Sequence, residues 1–128
     1  MPYVHVHVVR GRPASERRSI LDGVHAALVE AFRVPDDSVN QLLHEHDPEN
    51  VDSSKGAAFT LVEMTVFPGR SAEAKRRLYS ALVRNLALAP GIPADKVTVV
   101  LHEPPFTDWG IRGGKAAADL DLGFKVDV

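Results

Sequence analysis

The sequence predicts an α/β protein, more narrowly α+β, in which two tandem β-α-β units share a four-stranded mixed sheet with both helices on one face. Two observations predict it. The chain repeats itself at a constant offset, and within each copy the hydrophobic period runs from strand to helix and back to strand. Gly11-Arg12 recurs as Gly69-Arg70, an offset of 70 − 12 = 58. At that offset Arg18 falls on Arg76, Leu28 on Leu86, Pro35 on Pro93, Asp37 on Asp95 and Val39 on Val97. Leu43-His44-Glu45 then falls on Leu101-His102-Glu103, with no gap introduced. The copies span approximately 2–46 and 60–104 of a single domain covering 1–128, with a C-terminal tail over 105–128.

Each element has its own justification. Val4, Val6 and Val8 alternate with Tyr3, His5 and His7, the period-two pattern of a half-buried strand, and Thr60 to Phe67 takes the same place in the second copy. Gly11 and Gly69 break these strands. Ser15 and Ser71 are predicted helix N-caps, followed by acidic Glu16 and Glu73 in the first turn. Ile20, Leu21, Val24, Leu28, Ala31 and Phe32 recur at helical spacing, as do Leu78, Leu82, Val83 and Leu86. Pro35 and Pro93 are expected to close the helices. Val39 to Leu43 and Val97 to Leu101 are the predicted second strands, and polar 47–55 the linker between copies. A strand-helix-strand crossover makes each pair parallel and right-handed. Two helices cannot cover both faces of such a sheet, so burial against other subunits is expected. The tail from Asp108, rich in glycine, predicts a turn or short hairpin near a subunit boundary.

Composition excludes several classes of function. The 128 residues are 45% hydrophobic and 25% charged, with a formal net charge of −2. That balance, with a pI near 6.3, argues against nucleic acid or an anionic membrane as a general partner. The absence of cysteine removes disulfides and thiolate metal sites. No run approaches the ~18 apolar residues of a membrane span, and the N-terminus lacks a signal-peptide pattern, so a cytoplasmic protein is expected.

Pro2, directly after Met1, is the first candidate for chemistry. Removal of Met1 would leave a secondary amine at the chain end. An α-amine ordinarily titrates at about 7.7–8, and an apolar, cationic pocket lowers that value and leaves a neutral base near pH 7. Such a base suits abstraction of a proton next to a carbonyl. Arg12 and Arg70 are the second candidates, because a guanidinium binds a carboxylate through two parallel hydrogen bonds and stabilises developing enolate charge. The alternative for each is a solvated loop arginine. His44-Glu45-His46 puts two imidazoles on one strand face without the third and fourth ligands a metal needs, so no metal is expected. The repeat equivalence of His44 and His102 suggests a structural role at a strand end, His5 and His7 share a face, and His25 reads as a packed helix residue. Trp109, the only tryptophan, predicts an aromatic over a pocket mouth or interface, with Phe106 and Ile111 beside it.

Met1-Pro2, the first strand, Gly11-Arg12, the repeated β-α-β unit and Trp109-Gly110-Ile111-Arg112-Gly113-Gly114 together resemble the tautomerase superfamily. The chain looks like the fused, long form of 4-oxalocrotonate tautomerase, a tautomerase/MIF-like fold that typically makes a trimer. Leu21-Asp22, His25, Val29 to Phe32, Val34-Pro35 and His44 to His46 are similar to the malonate semialdehyde decarboxylase branch. The resemblance implies Pro2 as general base or acid, Arg70 as the arginine that engages a substrate carboxylate, and Arg12 as a substrate-binding arginine. It places Asn40 where the short tautomerases carry another arginine, and Trp109 and Ile111 in the pocket lining. Ser38 stands where the decarboxylase has a water-activating aspartate, and Pro68 where it has a second arginine. These departures favour keto–enol proton transfer on a small 2-oxo or 2-hydroxy-dienoate acid, with no cofactor. The alternatives are a decarboxylase-like lyase or 3-haloacrylate dehalogenase, a non-catalytic trimeric binding module, and a dimeric ferredoxin-like barrel.

Overall fold

The structure, a computed structural model, describes residues 2–128; Met1, and with it the expected removal of Met1, lies outside the described residues. Alternating valines form β1 (Tyr3–Val9), followed by α1 (Ala14–Phe32) and β2 (Gln41–His46). The second unit repeats the order as β3 (Thr60–Thr65), α2 (Ala72–Leu88) and β4 (Val97–His102). The sheet order is β2-β1-β3-β4. Each unit is internally parallel, and β1 meets β3 antiparallel with Tyr3 opposite Thr65 and Val8 opposite Thr60. The tail forms a small hairpin of β5 (Gly110–Ile111) and β6 (Lys115–Ala116), turned by Arg112, Gly113 and Gly114 at positive φ.

The core lies between the helices and one face of the sheet. Val4, Val6, Val8, Val62 and Met64 meet Ile20, Val24, Leu28 and Phe32 of α1 and Leu78, Leu82 and Leu86 of α2, all essentially removed from water. Gly23 lets the two helices approach: a Cβ there would meet Asn85 Cβ and Leu86 Cδ2 at 3.3 Å, and Asn85 Nδ2 donates to the Gly23 carbonyl at 3.0 Å.

Several boundaries differ from the sequence expectation. Ser71 caps α2 as predicted, its hydroxyl accepting from Ala74 N at 3.1 Å. Ser15 caps nothing. Helix α1 starts two residues earlier, with Pro13 at the N-cap, so Ser15 lies inside the first turn and its carbonyl accepts from Ser19 Oγ. The prolines do not end the helices either. Helix α1 stops at Phe32 because Arg33 turns left-handed at φ 55 and its N–H bonds back to Val29 O. Helix α2 stops at Leu88, just before Pro90, which has no N–H to continue the ladder. Pro93 instead leads the single turn Ala94–Lys96 that enters β4. Strand β2 begins two residues later than predicted, leaving Val39 outside, because pairing with β1 starts where Val4 N donates to Asn40 O.

The opposite sheet face carries no helix. The register places Tyr3, His5 and His7 of β1 there with Leu42, His44 and His46 of β2, Leu61 and Glu63 of β3, and Val100 and His102 of β4. Tyr3, Leu42 and Val100 are exposed on it.

Candidate active site

The antiparallel β1–β3 pairing decides which functional residues can meet. Pro2 precedes Tyr3, which faces Thr65, so the chain leaving β3 through Phe67, Pro68, Gly69 and Arg70 does so at the Pro2 end of the sheet. Helix α1 ends at that side and α2 begins there. Pro2 is buried. Asn40 lies beside it, since its carbonyl takes the Val4 N–H at 2.9 Å. A cleft of about 330 Å³ opens between β1 and β2, lined by Tyr3, His5, Val39, Asn40 and Leu42.

Arg70 is held by burial rather than by a carboxylate. It is 7% exposed, its guanidinium carbon sits 4.8 Å above the Phe32 ring, and Nη1 donates to Phe67 O at 3.1 Å. Its buried Nε has no hydrogen-bond partner. Among the described residues no carboxylate lies within ion-pair distance of it; Glu103, whose charge it feels, is tied to Lys75 Nζ at 2.6 Å. Burial pulls the Arg70 pKa down, opposed by the Glu103 charge. A buried, under-coordinated cation is costly until an anion completes it. The N-terminus of α2, starting at Ala72, adds positive potential at the same end.

The aromatic lining is also at this end. The Trp109 ring packs in tilted contact 4.5 Å from Phe67 and 6.3 Å from Tyr3, centroid to centroid, and its Nε1 donates to Pro104 O at 3.1 Å. Ile111 is buried in the same cluster, with Phe106, Phe124 and Val126 packed against it. Val126 closes over Gly69, which has φ +127, and Ser71 Oγ donates to Val128 O.

Arg12 is not part of this assembly within one chain. It follows the far end of β1, beside Thr60 rather than Pro2. Its Nη1 is satisfied by Glu16 Oε1 at 2.9 Å, and its carbonyl by Arg17. The repeat explains the asymmetry. Glu16 falls on 16 + 58 = 74, and Ala74 has no carboxylate to give Arg70. Pro2 falls on 2 + 58 = 60, where Thr60 is an internal strand residue bonded to Ala58 O. One end of the sheet therefore carries Pro2 and the chain leading to an arginine without a carboxylate partner, and the other carries an arginine already paired. That distinction was available in the sequence, in the Glu16-to-Ala74 mismatch.

The histidines are more closely grouped than the sequence reading expected. His5 Nδ1 lies 2.8 Å from His44 Nε2, and His7 Nδ1 2.8 Å from His46 Nε2. Among the described residues no group of three or more histidine or acidic side chains is arranged to hold a metal ion. His25 is partly buried on α1, and its Nε2 meets the Asp36 carbonyl at 2.8 Å beyond the end of that helix.

Two family models described as tautomerase enzyme match residues 38–112 and 2–52. The probable tautomerase YrdN of Bacillus subtilis (strain 168) is 32% identical over 123 residues, covering 91% of this chain and 95% of the relative. A malonate semialdehyde decarboxylase structure matches with a TM-score of 0.80 and 31% identity over 93% of this chain and 99% of that one. A fused 4-OT described as a symmetric trimer matches at 0.82 with 28% identity, over 91% and 96%. The fold and the matched relatives thus define an enzyme of the isomerase class. The chain is a member of the tautomerase family.

Proposed function

We propose that Pro2, once Met1 is removed, is the base that moves a proton between carbon and oxygen of a small 2-oxo or 2-hydroxy-dienoate carboxylic acid. The observation that carries this reading is the buried Arg70 guanidinium, short of partners and without a carboxylate of its own, at the end of the sheet where Pro2 is buried. A substrate carboxylate completes the Arg70 coordination shell and so fixes the substrate beside the amine. The same cation, with the α2 N-terminus, disfavours protonation of the amine and leaves it neutral near pH 7. The amine takes the proton from the enol hydroxyl, the electron pair delocalises as a dienolate steadied by Arg70, and the proton returns to carbon. The step is redox-neutral and needs no cofactor.

Asn40, Trp109 and Ile111 are assigned to the pocket lining, where they exclude water and set the substrate's orientation. Arg12 has no role in the pocket of its own chain, because Glu16 already neutralises it. A homotrimer is the assembly this reading carries; the fused 4-OT relative is described as a symmetric trimer, and the helix-free sheet face here needs a cover. The runner-up is decarboxylation, favoured by the 31% identity to malonate semialdehyde decarboxylase. Turnover of phenylenolpyruvate, malonate semialdehyde and 3-chloroacrylate by the same preparation separates the readings. Ketonisation lost in Pro2→Ala supports the first; turnover of malonate semialdehyde alone replaces it with the second.

A further inference from the structure

Five of the six histidines in the sequence share one sheet face, and the proposed chemistry uses none of them. His5 and His7 are stacked on β1 with centroids 6.5 Å apart, and His7 and His44 stack across to β2 at 4.7 Å. The two cross-strand contacts at 2.8 Å bind His5 to His44 and His7 to His46. A neutral imidazole has one N–H and one lone pair, so each contact requires one donor and one acceptor. One extra proton per pair places a positive charge against stacked imidazoles, and two turn both facing nitrogens into donors. Glu63 of β3 faces the ladder, 3.7 Å from His7 Nε2 and 3.2 Å from His102 Nε2 on β4, and Asp52 of the linker borders it beside His7 and His46. One carboxylate therefore contacts two of the five imidazoles, and a second lines the cavity beside them.

We infer that this imidazole ladder makes association of the chain with further copies of itself proton-linked: the sheet faces join while the ladder is neutral and separate as it becomes charged. The occupant of the face is a second copy. Tyr3, Leu42 and Val100 are large apolar groups left in water among the histidines, which a self-association buries. The fused 4-OT relative is described as a symmetric trimer, so the inference rests on the trimeric assembly proposed above. A rotational axis multiplies the effect, because each copy brings the same charges to one interface.

The sign follows from His7. Its pKa is lowered from 6.5, first by burial, then by His44 and His46, opposed by Glu63, with His5 adding to the depression. A group that binds its proton less readily in the ordered state favours that state above its free value and withdraws the support as pH falls. Covering the face with another copy extends the same burial to the whole ladder. Assembly is thus firm above about pH 7 and weakens below about pH 6.5.

The test is sedimentation velocity of the full chain between about pH 5.5 and about pH 7.5 at constant ionic strength, with far-UV circular dichroism on the same samples. Wild type is expected to be assembled at the upper pH. Its association constant should fall about tenfold per pH unit for each proton taken up, while the fold persists. His44→Gln/His46→Gln, which keeps polar partners but cannot titrate, is expected to assemble at the upper pH and lose most of the pH dependence. If that double variant fails to assemble, Glu63→Gln decides: Glu63 holds the His7 pKa up, so its loss should make the ladder harder to charge and move dissociation to lower pH, and an unchanged midpoint overturns the inference. Wild type that is monomeric at the upper pH overturns both the inference and the trimer. Equal assembly at both pH values, or an unaltered pH response in the double variant, overturns the proton linkage alone. Activity lost in Pro2→Ala is read separately, since that variant leaves the ladder intact.

Discussion

A guanidinium packed on a phenylalanine ring has lost hydration that Phe67 O restores only in part, and an incoming carboxylate can supply the rest. Arg70→Ala is therefore expected to raise KM strongly for a carboxylate substrate and to lower kcat/KM, whereas Arg12→Ala, which breaks only the Glu16 pair, should have a far smaller effect. Steady-state kinetics of the two variants checks this. Pro2→Ala replaces the secondary amine by a primary one of different basicity and geometry. Proton transfer should fall on the order of 10²–10⁴-fold with the fold retained, as expected when a positioned base is lost. Pro2 and Arg70 were legible as candidates because position two and the Gly-Arg repeat mark them without any knowledge of the fold. What the residues alone left open was which arginine joins the proline. The antiparallel β1–β3 register, with Tyr3 opposite Thr65, puts the chain leading to Arg70, not Arg12, at the Pro2 end of the sheet.

Helix ends show where local rules suffice and where context overrides them. Ser71 has extended backbone angles and caps Ala74 N, so Ser71→Ala should cost about 1 kcal/mol in chemical denaturation. Ser15→Ala should change stability by less than about 0.5 kcal/mol, because Pro13 has taken the cap position and the Ser15 hydroxyl satisfies no helix-start N–H. The two serines look alike in sequence, but they sit at different repeat positions: Ser15 falls on 15 + 58 = 73, not on Ser71. The helical stripes were plain from spacing, and most residues on them are buried between α1, α2 and the sheet; Leu21 and Val83 are only partly buried, and the small Ala27, Ala74 and Ala81 join the core instead. Leu86 is wholly buried at the helix crossing beside Gly23, so Leu86→Ala should cost about 2–5 kcal/mol, read from the denaturation midpoint. The late start of β2 was not legible. Val39 fits a strand pattern, but pairing begins only where Asn40 reaches Val4. For the same reason the ladder was hidden: a one-residue slip of β2 would have turned His44 and His46 toward the helices.

At the scale of the whole molecule, two helices shield one side of a four-stranded sheet and leave Tyr3, Leu42 and Val100 on the other. Leu42→Glu is expected to yield monomers near neutral pH without unfolding the chain, since Leu42 is more than half exposed in the isolated subunit and contributes little to its core. Light scattering after gel filtration measures it. The need for such a cover was legible from element count alone, while the imidazoles that share the face required the three-dimensional register. The most direct test of the central claim is covalent labelling of the purified full-length chain with 3-bromopropiolate, read by peptide mass. The account predicts a chain lacking Met1, a single adduct on the peptide that starts at Pro2, and loss of that adduct in Arg70→Ala. A chain that retains Met1, or labelling at other residues with Pro2 unmodified, contradicts it.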